Sequence, residues 1–374
     1  MTELLLNSLE IENFRAFEHL TIEKLGRVNL ITGKNNVGKT SLLEALWLYA
    51  GRANPQQILK LLTSREELTS RDQSRTAVRR NLFEEESALL PDLSMLFHGR
   101  NKNRVPTTSI KIAPLKGTTG KLDLSLRWII VREVIDSEGS KKLRWEVVEH
   151  DAPEGGTLQF LVNLDEQLIG RYEVQDVLSK HFRSRGDQPQ INAYYIDSCG
   201  DLSTKTSDLW DRIQLKPVQN DVTDALRLIS ADIERVALVN VGNDASAIVK
   251  LRSEEEPVPL KSLGDGMNRI FGIALAMVNA RDGMVLIDEF ENGLHYSVQA
   301  DVWRFIFEMA ARLNVQVFAT THSWECVNAF QTAANESEEE GILIRLEGHQ
   351  GRVVETLFDE EDLGIIAEQG IEVR

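Results

Sequence analysis

Cysteine is scarce in this sequence, since Cys199 and Cys326 are the only two among 374 residues. They are far apart and lack metal-ligand spacing, so we expect two reduced thiols rather than a disulfide framework or a zinc site. Long apolar runs are also missing. Runs such as Leu42 to Ala50 are far shorter than the roughly 20 residues of a membrane span, and residues 1–12 lack the basic start of a signal peptide. We therefore expect a cytoplasmic protein that does not enter the membrane.

Positive charge is in short supply as well. The formal net charge is −16 at pH 7, which argues against a general nucleic-acid coat protein. The distribution is uneven, because residues 60–145 hold 17 basic and 11 acidic residues, a net charge of +6. Five arginines lie between Arg65 and Arg80. This basic segment suggests contact with DNA or with an acidic partner, although charged runs are usually solvated surface.

The pattern of apolar residues divides the chain into three regions: 1–52, 53–190 and 191–374. The first and third alternate short apolar strands with amphipathic helices, which favours an α/β fold with a central, mostly parallel sheet. The second carries no motif of known chemistry. It is predicted to be a mixed α+β insertion, helical near residues 56–90 and rich in strands over 107–163. Heptads are not sustained over several repeats, so a long coiled-coil arm is not expected.

The strongest motif is a glycine-rich loop between a strand at Val28 to Thr32 and a helix beginning near Lys39. The loop matches G-x-x-x-x-G-K-[ST] at every fixed position,. Glycines let backbone N–H groups turn toward phosphates at a helix N-terminus, which favours anions. We expect Lys39 to neutralise the β- and γ-phosphates of ATP and the Thr40 hydroxyl to ligate Mg²⁺. The residues expected to bind the nucleotide are Gly33, Lys34, Asn35, Asn36, Val37, Gly38, Lys39, Thr40 and Ser41.

Two carboxylates follow a second apolar strand, at Met284 to Ile287. We expect Asp288 to hold Mg²⁺ and Glu289 to act as the catalytic base that polarises the attacking water. The run Thr320-Thr321-His322-Ser323 follows the next predicted strand. A histidine at this point, after the other two motifs, is expected to sense the γ-phosphate. Glu289 and His322 are therefore the predicted catalytic residues.

A second glycine-containing stretch precedes the acidic pair and opens a helix predicted over Ser262 to Ala280. Ser262 is placed near the helix N-cap, and Gly264 and Gly266 offer amides that would bind an anion. A simple helix start explains the same residues, so this motif alone does not decide between a structural and a binding role.

The order of these motifs resembles the ABC-type ATPases of the SMC and RecF group. The opening residues Leu9 to Phe17 and the paired asparagines of the glycine-rich loop resemble the same group. Residues Ser262 to Arg269 and Asp288 to His295 look like the short AAA-type ATPases related to the OLD family and to the ATPase component of the PARIS anti-phage system. The similarity covers residues 1–50 and about 190–330, and leaves the insertion undefined.

This resemblance implies a fold and a shared site. The implied fold is an ABC/SMC-type P-loop ATPase domain split by the insertion. Two subunits would enclose ATP between the P-loop of one and the signature loop of the other. Ser262, Gly264 and Gly266 would then contact the γ-phosphate held by the partner's Lys39. The chain departs from the L-S-G-G-Q signature of transporters, because Gly264 stands in place of the serine and Asp265 in place of a glycine.

The resemblance also implies a role in the cell. The favoured hypothesis is an ATP-switched subunit of a prokaryotic anti-phage defence system, dimeric or larger, that controls a separately encoded effector such as a Toprim-like nuclease. Only 52 residues follow His322, so no nuclease domain is expected in this chain. The alternative is a RecF-like ATPase of DNA repair or chromosome maintenance, with the basic segment 60–145 as its DNA-binding surface. A transporter subunit is disfavoured because the insertion splits the nucleotide domain.

Overall fold

The computed structural model describes residues 3–68, 90–100, 108–117, 119–135, 141–148, 155–178, 190–241, 244–349 and 351–358. The strands in these ranges are β1 (Leu9–Phe14), β2 (Phe17–Ile22), β3 (Val28–Gly33), β4 (Ser109–Ala113), β5 (Leu122–Ile135), β6 (Lys141–Val148), β7 (Thr157–Leu164), β8 (Gln167–Glu173), β9 (Ala193–Ile196), β10 (Ile233–Val241), β11 (Asp244–Leu251), β12 (Val258–Pro259), β13 (Met284–Ile287), β14 (Gln316–Thr320), β15 (Gly341–His349) and β16 (Arg352–Phe358). The α-helices are α1 (Lys39–Ala50), α2 (Pro55–Ser64), α3 (Val174–Leu178), α4 (Thr206–Ile213), α5 (Gln219–Arg227), α6 (Asp265–Asn279), α7 (Tyr296–Leu313) and α8 (Trp324–Glu336), and short 3-10 helices occur at Ser94–Leu96, His98–Arg100 and Leu260–Leu263.

The chain forms two compact units. Unit 1 contains the described residues of 1–7, 23–43 and 191–374, and unit 2 contains those of 8–22 and 44–190. Among the helices in the described parts of both units, none is long and apolar enough to cross a membrane.

The sheet of unit 1 has the strand order β16-β15-β3-β14-β13-β9. The five strands from β15 to β9 run parallel, and β16 adds antiparallel to β15. Every residue of β3, β13 and β14 is buried, as expected for apolar parallel strands covered on both faces. Since β3, β14 and β13 are neighbours, their carboxyl ends meet at one edge of the sheet, where ligands of open α/β sheets bind.

A smaller antiparallel sheet, β10-β11-β12, leads into α6. The predicted start of this helix at Ser262 is wrong, because α6 begins at Asp265 and its N-cap is Gly264. Gly264 has φ 105° and ψ 165°, a left-handed geometry that separates α6 from the preceding 3-10 helix and that glycine adopts without steric cost. The Ser262 hydroxyl donates instead to the carbonyl oxygen of Pro259, at 2.6 Å.

The sheet of unit 2 is antiparallel, with the order β2-β1-β4-β5-β7-β8 and β6 pairing with β5. Because β1 pairs with both β2 and β4, residues 8–22 belong to the same sheet as the strands of the predicted insertion. Of the helical stretch expected over 56–90, the structure has α2, whereas residues 69–89 lie outside the described ranges. Most of the arginines between Arg65 and Arg80 fall in that part.

A buried ion cluster lies within unit 2. Glu44 pairs with Arg15 at 3.0 Å and with Arg65 at 2.9 Å, and Arg15 also pairs with Glu67 at 2.6 Å. Burial raises the pKa of the Glu44 carboxyl, while the two arginines act in the opposite direction. Removing one member would leave an uncompensated buried charge, which is strongly destabilising. The folded state therefore keeps these side chains paired.

Candidate nucleotide site

The glycine-rich loop of unit 1 connects β3 to α1. Gly33, Asn36 and Gly38 have φ values of 139°, 63° and 114°, so the loop needs residues that accept left-handed geometry. A Cβ on Gly33 would also lie 2.3 Å from the carbonyl oxygen of Leu346. The Lys39 ammonium donates to the carbonyl oxygens of Gly33 and Lys34, at 2.7 and 3.2 Å. The Lys39 side chain therefore lies across the P-loop, where the motif predicts that phosphate binds.

Electrostatics at this loop are dominated by burial and by three acidic side chains. Burial lowers the pKa of Lys39, whereas Glu289, Glu291 and Asp288 act to raise it. The three carboxylates therefore favour the charged form of Lys39, and a bound nucleotide phosphate would favour it further.

The predicted metal ligands lie in contact with each other. The Thr40 hydroxyl donates to the two carboxylate oxygens of Asp288, at 3.2 and 3.0 Å, and Thr320 donates to Oδ1 at 2.6 Å. Asp288 is 5% exposed, and burial raises the pKa of its carboxyl, against the effect of both hydroxyls. Mg²⁺ prefers hard oxygen ligands and usually takes one or two from protein, with phosphate oxygens and water completing the shell. Thr40 and Asp288 fit that requirement.

Glu289 is held by two neighbouring side chains, those of Thr320 and Asn292. Its backbone has φ 48°, a left-handed conformation that is strained for a residue with a side chain. Its N–H donates to the Thr320 hydroxyl at 2.8 Å. Its Oε2 accepts from the Asn292 amide at 2.7 Å, and the same amide donates to the carbonyl oxygen of Ser198 at 3.0 Å. The carboxylate is thus fixed beside Asp288 at the end of β13.

His322 follows β14 and is anchored by Glu291. The His322 N–H donates to Glu291 Oε1 at 2.9 Å, and the ring Nδ1 lies 3.0 Å from the same oxygen. A carboxylate can only accept, so this contact requires a proton on Nδ1. The preceding Thr321 N–H donates to the carbonyl oxygen of Ile31 in β3, at 2.9 Å. His322 is therefore placed at the same sheet edge as the P-loop and the acidic pair.

The signature stretch has different surroundings. Ser262 and Gly264 are exposed, and a Cβ on Gly264 would meet nothing within 4 Å. Gly266 is constrained from within the chain, because a Cβ there would lie 2.7 Å from the carbonyl oxygen of Gly293. The start of α6 thus packs closely on the loop that follows Glu289, while the residues just before it face open space.

Three residues of this site had no role assigned from sequence: Thr320, Glu291 and Asn292. Each orients a predicted residue, since Thr320 contacts Asp288 and Glu289, Glu291 contacts His322, and Asn292 contacts Glu289. All three lie within motifs that the sequence singled out, but only the pairing of β13 with β14 brings Thr320 against the acidic pair.

Two sequence families match the chain. Residues 5–112 match the family described as "AAA ATPase domain", and residues 148–327 match the one described as "AAA domain, putative AbiEii toxin, Type IV TA system". The first range contains the P-loop, and the second contains the acidic pair and His322. The segments that carry the P-loop, the acidic pair and His322 thus match AAA-type ATPase domains.

Among curated proteins, this ATPase is similar to an ATP/GTP phosphatase of Helicobacter pylori, with 22% identity over 361 residues, covering 89% of this chain and 90% of the relative. It is 28% identical over 120 residues to the DNA replication and repair protein RecF of Clostridium perfringens, which covers 32% of this chain and 31% of that protein. An uncharacterised protein of Methanocaldococcus jannaschii is 45% identical over 47 residues, 13% of this chain and 22% of that one.

Among solved structures, the ATPase is similar to an Smc head bound to the C-winged helix domain of ScpA, with a TM-score of 0.49, 11% identity, and coverage of 96% of this chain and 99% of that chain. The SMC head domain of Thermotoga maritima gives a TM-score of 0.43, 13% identity, and coverage of 94% and 98%. The assignment as an ATPase depends on the site geometry and the family matches rather than on these superpositions.

Proposed function

We propose that the chain hydrolyses MgATP at a composite site formed by two copies, and that the nucleotide switches their association. The contact between Thr40 and Asp288, beside Glu289, carries the hydrolytic part of this proposal. It joins a hydroxyl of the P-loop helix to the carboxylate after β13, which is the arrangement that a phosphate-bound Mg²⁺ needs.

The residues divide the chemistry among themselves. Lys39 and the loop amides would hold the β- and γ-phosphates, and Thr40 and Asp288 would hold Mg²⁺, which would supply positive charge to the phosphate oxygens. Glu289 accepts a hydrogen bond from the attacking water and directs its lone pair at the γ-phosphorus. His322, oriented through Nδ1 by Glu291, contacts the γ-phosphate and distinguishes ATP from ADP.

The exposed signature stretch supports the composite part of the proposal. Lys39, Thr40, Asp288 and Glu289 already supply phosphate and metal ligands from one chain, whereas Ser262 and Gly264 are exposed at the start of α6. A helix N-terminus with free amides favours an anion. The anion that fits is the γ-phosphate of the nucleotide on a second copy, so ATP would join the two copies and hydrolysis would separate them.

Mixing two inactive variants tests the composite site. Lys39→Ala removes the phosphate contact, and Ser262→Glu places a carboxylate where the γ-phosphate of the other copy would lie. Ser262 suits this purpose because it is exposed, whereas any side chain at position 266 would strike the Gly293 carbonyl. A mixed dimer regenerates one intact site, so ATPase activity should partly return.

The matched control is Thr332→Glu, which adds the same charge at an exposed position of α8 and is expected to keep full activity without any partner variant. If the Lys39→Ala and Ser262→Glu chains form mixed dimers that remain inactive, the two-copy site is wrong and ATP is hydrolysed within one chain.

We further propose a role in the cytoplasm as the ATPase subunit of a prokaryotic anti-phage defence system that controls a separately encoded effector, such as a Toprim-like nuclease. The family description over residues 148–327, which names a toxin of a type IV toxin–antitoxin system, supports this direction. Plaque assays in cells that carry the wild type with its neighbouring genes, or the Lys39→Ala or Glu289→Gln variant, test it. Equal plaque counts for all three would refute a defence role.

A RecF-like role in DNA maintenance is the second candidate, favoured by the match to RecF over 120 residues. The basic segment 60–145 would then contact DNA, and its described part includes exposed Arg132, Lys141 and Arg144 on β5 and β6. Phosphate contacts release counterions, so binding to duplex DNA should weaken steeply as salt rises. Absence of binding at low salt would leave this segment as a protein-docking element.

A further inference from the structure

Arg269 is a buried cation of unit 1. It lies on α6, is 4% exposed, and donates from Nη1 to the carbonyl oxygen of Asp197 at 2.7 Å. Its Nη2 donates to the carbonyl oxygens of Asp288 and Glu289, at 2.5 and 2.9 Å. Within the described part of the chain, none of its hydrogen-bond partners is a carboxylate. Because burying a guanidinium without such a partner is costly, its contacts with the backbone call for a functional explanation.

Two of those contacts fix the peptide of the catalytic base. The φ of 48° at Glu289 persists only if the surroundings hold it. Thr320 holds the N–H of Glu289, Asn292 holds its carboxylate, and Arg269 holds the carbonyl oxygens on either side of its Cα–N bond. The direction in which the Glu289 carboxylate leaves the end of β13 therefore depends on Arg269.

The position of Arg269 on α6 adds a second connection. The helix begins at Asp265, directly after Gly264, and Arg269 lies about one turn into it. Arg269 therefore links the helix that follows the signature loop to the carbonyl oxygens of Asp288 and Glu289. The first turn of α6 also packs directly on the Gly293 backbone through Gly266.

We propose that Arg269 is a positioning residue that couples the signature loop to the base Glu289 of the same chain. Contact of one signature loop with the nucleotide of the other copy would thereby set Glu289 for hydrolysis in its own site, so that the two sites act together. The coupling between sites depends on the composite site proposed above, whereas the effect of Arg269 on Glu289 depends only on ATP hydrolysis.

A cavity of about 610 Å³ adjoins Arg269 and is lined also by Cys199, Asn268 and Asn292. When the side chain at position 269 is shortened, a small cation from solvent can enter the space that the guanidinium vacates. Free guanidinium ion is therefore a direct probe of the position, because it offers the same planar set of donors.

The test uses the full-length Arg269→Ala and Arg269→Lys chains. In both, kcat should fall by about 10²-fold, the size of effect that follows a misplacement of roughly 1 Å at a catalytic group, while the dissociation constant for ATP stays near that of the wild type. Lysine should restore little, since one ammonium cannot reproduce the fork of donors. Millimolar guanidinium chloride should raise the kcat of Arg269→Ala, whereas sodium chloride at equal ionic strength should not.

Arg27→Ala is the matched control, because Arg27 is also buried, at 3% exposed, and donates to Glu339 and Asn314 away from the nucleotide site. This variant should lose thermal stability while keeping its kcat, and guanidinium should not change that kcat. A wild-type kcat in a folded Arg269→Ala chain overturns the proposal. So does a fall in kcat that matches the Arg27→Ala control at equal loss of stability and does not respond to guanidinium.

ATP-dependent association, measured by light scattering in the Glu289→Gln background, separates the two proposals. If Glu289→Gln alone fails to associate with ATP, the composite site is wrong, and the kcat and rescue data still decide the role of Arg269. If Glu289→Gln associates but the double variant with Arg269→Ala does not, Arg269 acts in assembly and the positioning role is overturned.

Discussion

The proposed site has two halves, the P-loop with the acidic pair and the signature stretch around Ser262, which differ in how many hydrogen bonds the chain itself supplies to their polar groups. Asp288 is 5% exposed and accepts hydrogen bonds from Thr40 and Thr320. Ser262 is exposed, and its hydroxyl donates to the nearby carbonyl oxygen of Pro259. Buried polar groups are normally paired within the fold, so the first half is complete before any partner arrives. The exposed half is available for contacts that one chain does not make.

The largest effect is expected in the first half. Lys39→Ala should abolish ATP binding, because Lys39 is the residue that the P-loop motif assigns to the β- and γ-phosphates. The ligand-free chain should remain folded, since the contacts of the Lys39 ammonium within the described residues are with two carbonyl oxygens of its own loop. Isothermal calorimetry measures the affinity, with the exposed neighbour Lys34→Ala as control. Unchanged affinity in the Lys39→Ala chain would remove the phosphate assignment.

A large effect on turnover, but not on binding, is expected from Glu289→Gln. Loss of the base should slow hydrolysis by roughly 10²–10⁴-fold, while the amide keeps the shape of the side chain and ATP stays bound. Steady-state phosphate release measures the rate, and calorimetry checks that ATP affinity persists. A rate equal to that of the wild type would mean that another residue activates the water.

Replacing the buried Asp288 by asparagine should increase the stability of the ligand-free chain. Burial raises the pKa of its carboxyl, so the folded chain holds this proton more tightly than the unfolded chain does. Stability from this group is complete below the ordinary pKa of aspartate and is lost as pH rises through the raised value. At neutral pH, Asp288→Asn should therefore stabilise the ligand-free chain by about 1 kcal/mol, as do other changes that relieve a functional site.

Thermal unfolding at several pH values checks this prediction. The gain should disappear at acid pH, where the wild-type carboxyl is protonated, and the variant should bind MgATP more weakly. A less stable variant at neutral pH would show that the hydrogen bonds from Thr40 and Thr320 outweigh the cost of burial.

The smallest effects separate two neighbouring positions of the signature stretch. Ser262→Ala should change the stability of the isolated chain by less than about 0.5 kcal/mol, as is usual for surface positions. Gly266→Ala should cost about 1–3 kcal/mol, the range for overpacking, because its Cβ would meet the Gly293 carbonyl oxygen at 2.7 Å. Chemical denaturation of both variants compares them. If the two variants are equally stable, the backbone near Gly266 and Gly293 moves apart to accept the Cβ without loss of stability.

The sequence predicted those parts of the site that depend on local pattern. The P-loop lies between β3 and α1, and the acidic pair follows β13, where the apolar runs place them. The start of α6 was predicted three residues too early, because a serine before a helix resembles an N-cap whether or not a 3-10 turn intervenes. The contacts of Thr320 and Arg269 were not predictable, since they join residues that only the strand pairing and the packing of α6 bring together.

The cavity beside Arg269 also offers a site for a fluorescent label. Of the two thiols, Cys199 is exposed at this cavity and Cys326 is fully buried. Burial raises the pKa of the Cys326 thiol, which keeps it protonated and unreactive. A maleimide fluorophore should therefore label Cys199 alone, without any engineered cysteine. Its emission would follow changes around α6 in real time as nucleotide is added.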